Sequence, residues 1–291
     1  MKIKQKTKGN WAIEFIYALE YLNKVIIGQN KANQVLSACI ATYLNQRKLG
    51  LDYVAPRIIV QGPSSSGKTT LAIETATYMC TPYSIINGGL VSPEGYRGQS
   101  FTDSLKNINP KIGHVLIIDE LDKVILKAKS DSFYQTIVFN ILAILGGEPI
   151  QLTTGEYLES VDIIETKNIM VICCGIFHPL KFNDDPSKNA RLLKKFGFST
   201  ELCNRFSHFI TMERLSKNDT QKIIDNLVIN IGHQYLSGSL NLHYIPKINR
   251  QKILNEIQKQ NGLGIRHTKA LIQSELEKYY IKNSNNDAFN L

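Results

Sequence analysis

The sequence predicts an α/β fold, a largely parallel sheet with helices on both faces, followed by a small all-α part. Three observations carry this. Five short, nearly continuous apolar runs alternate with segments of helical spacing. A glycine-rich turn stands between the first run and a helical segment. After Arg214 the apolar runs stop and only amphipathic helical patterns remain. Runs without polar alternation suit strands covered on both faces, as in a parallel sheet.

The elements follow in chain order. A basic arm with Lys2, Lys4, Lys6 and Lys8 precedes an amphipathic helix from Trp11 that carries Ile13, Phe15, Ile16, Leu19 and Leu22. Glu14 and Glu20 inside that pattern are wrong for a signal-peptide core. Strands are expected at residues 57–61 (RIIVQ), 83–86 (YSII), 114–118 (HVLII), 168–174 (NIMVICC) and 206–212 (FSHFITM). Helices are expected at 69–79 and at 134–145, where Ile137, Ile141, Leu142 and Leu145 form one stripe. Past Ser216, Asn218 and Asp219, which suit a helix cap, come helical patterns at Ile223, Ile224, Leu227, Val228 and Ile231, then at Ile253, Leu254 and Ile257, then over 267–280. Residues 283–291 are polar and patternless, a frayed tail. The expected division is 1–24 for arm and helix, 25–213 for the α/β domain, 214–282 for the helical domain and 283–291 for the tail.

The chain has 291 residues, 43% hydrophobic and 20% charged, which excludes a disordered or low-complexity chain. No apolar run approaches the roughly 18 residues of a membrane span. The five cysteines are odd in number, contain no C-x-x-C pair and mostly lie in apolar runs, so they are read as reduced and the compartment as cytoplasmic. A net charge of +9 is a soft pointer to an anionic partner.

The loop Gly62-Pro63-Ser64-Ser65-Ser66-Gly67-Lys68-Thr69, with Thr70 behind it, fits G-x-x-x-x-G-K-[ST] between a strand and a helix. Its glycines let successive N–H groups face phosphate oxygens, and the helix N-terminus adds its positive dipole end. Lys68 would bridge the β and γ phosphates of ATP, and the Thr69 hydroxyl would ligate Mg²⁺. The alternative is a flexible Gly/Ser turn. The strand HVLII ends in Asp119-Glu120, where open α/β sheets bind ligands. Asp119 would hold Mg²⁺ and Glu120 would orient and deprotonate the attacking water, which implies hydrolysis; the alternative is a solvated acidic turn.

Together, VIIGQ (25–29), GPSSSGKT, EGYRGQS (94–100), LIIDELDK (116–123), IMVICCGIF (169–177) and KKFGFSTELCNRF (194–206) resemble the AAA+ ATPases, and within them the ClpX and HslU unfoldases. The resemblance runs in order from about residue 22 to 275 and implies a phosphate-loop ATPase domain with an all-α lid. It further implies a homo-hexameric ring that threads polypeptide through its pore. Residue by residue, it gives Ile26 and Ile27 a place in the adenine pocket, or else a packing role. It gives Arg205 the role of an arginine finger on the neighbouring subunit's γ-phosphate, and Tyr96 that of an aromatic pore-loop residue. The alternatives are a surface arginine and a packed turn tyrosine.

The sequence departs from that pattern in several places. Cys174 stands where a polar sensor is common, which suits a buried core cysteine. At the lid sensor, Leu263 takes the usual arginine's place and only Arg266 keeps one nearby. The stretch 178–195 lacks an apolar I-G-F tip, which makes delivery to a ClpP-type peptidase doubtful, and no four-cysteine zinc module precedes the ATPase core. The second pore-loop region, about 146–162, carries Glu148, Glu156 and Glu159 in place of basic residues. The competing reading is a nucleic-acid-associated motor or loader, supported by the positive charge and the basic arm. A third is a nucleotide switch with little turnover.

Overall fold

The computed structural model describes residues 10–51, 53–91, 101, 105–106, 108, 113–154, 160–236, 250–259 and 268–278. Tyr96, Arg266, Glu156, Glu159, the lysines of the arm and the tail 283–291 lie outside them. The chain forms two compact units: residues up to Pro63 with Lys68–Glu213, and Ser64–Gly67 with the chain from Arg214.

In the first unit five strands form one parallel sheet: β1 (Arg57–Gln61), β2 (Tyr83–Asn87), β3 (His114–Asp119), β6 (Ile169–Gly175) and β7 (His208–Thr211), in the spatial order β2-β3-β6-β1-β7. The α/β expectation therefore holds. The central strands are apolar without alternation because both faces are covered, and odd and even residues supply two different cores. On one side Ile58, Val60, Val115, Ile117, Met170, Ile172 and Cys174 pack with α1 (Trp11–Val25), α2 (Asn30–Leu49) and α3 (Lys68–Tyr78). On the other, Ile59, Leu116, Ile118, Val171 and Cys173 pack with α4 (Leu121–Lys127), α5 (Ser132–Gly146), α6 (Pro186–Phe196) and α7 (Thr200–Arg205).

The amphipathic α1 belongs to this unit. The Asn10 side chain caps it by accepting from the Ile13 N–H, and Ala18 and Leu22 are buried. Its sides are tied down where the Trp11 indole donates to Thr42 Oγ1 at 3.0 Å and the Tyr21 hydroxyl to Glu74 Oε2 at 2.6 Å. Helix α2, which the apolar pattern alone did not single out, ends on Gly50 in a left-handed conformation, φ +62°. An antiparallel pair, β4 (Ile150–Thr154) and β5 (Ser160–Ile164), also went unforeseen; it stands apart from the main sheet.

Arg57 opens β1 with its side chain 2% exposed. Its guanidinium donates to the carbonyls of Leu145 (3.1 Å), Thr166 (3.1 Å) and Ile169, joining the end of α5 to the start of β6. Burial pulls its pKa down to about 10.

In the second unit, α8 (Lys217–Leu236), α9 (Arg250–Lys259) and α10 (268–278) share a core of Ile224, Val228, Ile231, Ile253, Leu254, Ile257, Ile272 and Leu276. The Ser216 hydroxyl accepts from the Asp219 N–H at 3.1 Å at the start of α8. Among the described residues no helix is long and apolar enough to cross a membrane.

Candidate functional site

The candidate residues gather at the C-terminal edge of the sheet, where β1, β3 and β6 end side by side. Beyond β1 the Gly62 N–H donates to the Gly175 carbonyl at 3.3 Å, which pins the start of the loop to the end of β6. The loop then turns through two left-handed residues, Ser65 at φ +66° and Gly67 at φ +95°. Gly67 meets this without cost, whereas Ser65 carries strain of the kind found in ligand clamps. The Ser66 side chain is buried and its hydroxyl has no partner among the described residues.

Lys68 is the first residue of α3, and its buried Nζ donates to the carbonyls of Gly62 (2.9 Å) and Pro63 (2.8 Å). Burial pulls its pKa below the ordinary lysine value, while the nearby Asp119, Asp122 and Glu120 carboxylates act against that. An ammonium short of water and held by neutral carbonyls is poised to take anionic oxygens as partners.

Asp119 closes β3. Its Oδ2 accepts from the Thr69 hydroxyl at 2.6 Å and its Oδ1 from the Glu120 N–H at 2.9 Å. A hydroxyl and a carboxylate in contact are hard oxygen donors of the kind Mg²⁺ takes, alongside water and phosphate oxygens, so the pair fits that ion. Among the described residues no group of three or more His, Cys, Asp or Glu could hold a metal by itself.

Glu120 sits at the turn into α4 in a left-handed conformation, φ +57°. Its carboxylate pairs with Lys123 at 2.8 Å and lies on the turn after β2, where a Cβ on Gly89 would come 2.1 Å from Glu120 Oε2. Gly88 packs as closely, since a Cβ there would meet the Glu120 carbonyl at 2.8 Å and Val124 Cγ2 at 2.5 Å. The β2 turn lies on one side of β3 and the strand leading to the phosphate loop on the other.

Cys174 is wholly buried in the core, and burial pushes its thiol far above the ordinary value, so it is an inert core side chain. Ile26 follows α1, is 6% exposed and packs in the core that α1 and α2 share, while Ile27 is half-buried. Arg205 ends α7, and its guanidinium contacts Glu148 and Glu201. Sequence reasoning missed Gly88 and Gly89, for which the glycine pair directly behind an apolar run was the available signal; Gln29 and Lys123 lay inside the VIIGQ and LIIDELDK stretches but were given no role of their own.

Residues 58–178 match the family model described as "ATPase family associated with various cellular activities (AAA)". Curated relatives named "ATP-dependent Clp protease ATP-binding subunit ClpX" align over most of the chain. That of Borrelia duttonii (strain Ly) is 26% identical over 262 residues, covering 74% of this chain and 61% of the relative. The Treponema denticola protein is 27% identical over 255 residues, with 70% and 61% covered. The Porphyromonas gingivalis (strain ATCC 33277) protein is 24% identical over 210 residues, with 64% and 50% covered. The chain therefore spans about three fifths or less of the length of these relatives.

Proposed function

We propose that this chain, an AAA ATPase similar to ClpX, uses ATP hydrolysis to remodel or unfold polypeptides as a homo-oligomeric ring. The observation that carries the catalytic part is the contact between Thr69 and Asp119 at 2.6 Å, beside Lys68 and directly before Glu120. Lys68 would exchange its two carbonyl partners for the β and γ phosphate oxygens of ATP. The residues from Gly62 to Thr70, Pro63 excepted because it has no N–H, would present their N–H groups to the phosphates. Thr69 and Asp119 would hold Mg²⁺, which when bound neutralises phosphate charge. Glu120 would accept the proton of the attacking water. Ile26 and Ile27 would line the adenine side, and Arg266 would approach from the lid.

The polypeptide part rests on the likeness to ClpX and on Tyr96 between Gly95 and Gly98. Tyr96 would grip the chain being moved, and Arg205 would reach the next subunit's γ-phosphate, so the hexamer is the active form. In this reading residues 25–213 are the ATPase domain and 214–282 its lid, and the protein works in the cytoplasm. Without an I-G-F tip in 178–195, no ClpP-type peptidase is part of it.

The test is a Glu120→Gln variant, expected to bind ATP and hydrolyse it at least about a hundredfold more slowly. Wild-type turnover is expected to rise with an unfolded protein, and Tyr96→Ala to lose that response while still binding ATP. Turnover stimulated by DNA instead, with steep salt dependence, would establish the nucleic-acid reading. Unchanged turnover in Glu120→Gln would overturn the hydrolytic role.

A further inference from the structure

Between α1 and α2 the chain turns over residues 26–29, and two side chains lock that turn from either side. Asn33, wholly buried on α2, spends both N–H groups of its amide: it donates to the Ile26 carbonyl at 3.0 Å and to Asn23 Oδ1 at 3.0 Å. Gln29, 4% exposed, makes no side-chain cap on α2 and instead exchanges two hydrogen bonds with the backbone of Glu213, at 2.8 and 3.0 Å. Gly28 takes φ +77°, a conformation that a side chain would strain. Among the described residues the N–H and the carbonyl of Ile27, which is half-buried, have no partner. The turn is thus fixed on both sides of a residue whose own peptide groups stay unpaired.

We propose that Gln29 and Asn33 are positioning residues for base selection, holding the Ile27 peptide groups in place for the base of the bound nucleotide. This rests on the reading of Ile26 and Ile27 as the adenine side of the site. The pairing edge of adenine carries an acceptor nitrogen beside an amine donor, and that of guanine the reverse, an N–H donor beside a carbonyl. A backbone N–H and carbonyl held still match the first and meet like with like on the second, where groups left unpaired cost affinity. A peptide free to turn would adapt to either base, so selection depends on what holds the turn. The clamp also orders the turn before the nucleotide arrives. The N–H groups of Asn33 and both ends of the Gln29 amide are spent within the protein, so the two residues act through the turn and not on the nucleotide.

The experiment compares kcat/KM for ATP and for GTP in the wild type, Gln29→Leu, Asn33→Leu and Tyr21→Phe. Partial unfolding scales both substrates equally, so the ratio separates positioning from stability. Tyr21→Phe removes the 2.6 Å bond that ties α1 to Glu74 and serves as the control for packing loosened away from the turn. The wild type should prefer ATP by at least about a hundredfold. Gln29→Leu and Asn33→Leu should each raise KM for ATP with kcat unchanged and lower the preference by about tenfold, one hydrogen bond's worth of discrimination. Tyr21→Phe should keep the wild-type preference. An unchanged preference in both clamp variants, beside a selective wild type, would overturn the positioning role alone, and so would an equal fall in Tyr21→Phe. Equal use of ATP and GTP by the wild type would overturn the reading of Ile27 as a base contact and the positioning role with it.

Discussion

Gln29 and Glu213, 184 residues apart, are locked by a reciprocal pair of hydrogen bonds: Gln29 Nε2 donates to the Glu213 carbonyl at 2.8 Å, and the Glu213 N–H donates to Gln29 Oε1 at 3.0 Å. The side chain acts as an extra piece of backbone that satisfies the chain leaving β7, and it is 4% exposed. Gln29→Leu leaves the N–H and carbonyl of Glu213, a residue that is itself exposed, without their protein partners, so a loss of about 1 kcal/mol is expected. A lowered urea midpoint with an unchanged slope would show it; an unchanged midpoint would mean that water replaces the amide.

Arg57 is a second point where one side chain stands in for backbone. Its guanidinium serves the carbonyls of Leu145, Thr166 and Ile169, and no carboxylate is among these partners. Arg57→Met removes a buried charge but orphans three carbonyls, and we expect a net loss on the order of 3 kcal/mol. Arg57→Lys should recover only part of it, because a point charge cannot span three acceptors as a planar fork does. Equilibrium unfolding of the two variants side by side decides this, and equal stability of Arg57→Met and wild type would refute it.

His114 begins β3 at 1% exposure, with Nε2 3.0 Å from Ser84 Oγ and Nδ1 unpartnered among the described residues. Burial lowers its pKa from 6.5 to about 4. The folded chain therefore holds the neutral ring while the unfolded chain protonates first as pH falls. Stability is unaffected by this group above about pH 6.5 and declines between about 6.5 and 4, by a total on the order of 3 kcal/mol. Melting temperatures from pH 8 to 4.5 should fall more steeply for wild type than for His114→Gln. Parallel curves would assign the acid sensitivity elsewhere.

What the sequence made legible follows from how locally each feature is encoded. The central strands were readable because strands covered on both faces are nearly continuous in apolar residues, and 57–61 and 169–175 are buried throughout, whereas the edge strands β2 and β7 are only partly covered and were readable from their short apolar runs alone. The strand–loop–helix placement of residues 62–69 and the position of Asp119 and Glu120 at the end of β3 were readable because the G-x-x-x-x-G-K-[ST] spacing and an acidic pair closing an apolar run are local signals. Helix α2 was not singled out, since it buries Asn33 and Ser37 together with Leu36 and Ile40, which blurs the stripe. The β4–β5 pair was missed because Gln151 and Asp162 break the apolar residues Ile150, Leu152, Val161, Ile163 and Ile164 into alternation over only five positions per strand, too short a pattern to stand out. Lys123 and Glu148 were invisible as partners of Glu120 and Arg205, because which lysine or glutamate meets a site residue depends on helix phase and on elements distant in sequence.

The position of the Glu120 carboxylate leads to the last prediction. It rests over Gly89, on the turn after β2, paired with Lys123 at 2.8 Å. The turn that supports it is itself fixed, since Asn87 Oδ1 accepts from the Gly89 N–H at 2.9 Å and the Gly88 N–H donates to the Asp119 carbonyl at 2.8 Å. On the proposed reading of Glu120 as the base, the ion pair and the open backbone of Gly89 hold the carboxylate in a resting place that it would leave to work. Lys123 is half exposed and three residues along the same helix, so its pairing contributes only about 0.2 to 0.5 kcal/mol. Lys123→Met should therefore raise basal kcat by no more than about twofold, with KM for ATP unchanged. Gly89→Ala, whose Cβ would occupy the resting place outright, should change kcat in the same direction. Steady-state turnover without any stimulating partner is the measurement. A fall in kcat in both variants would mean instead that the carboxylate over Gly89 is already in its working position.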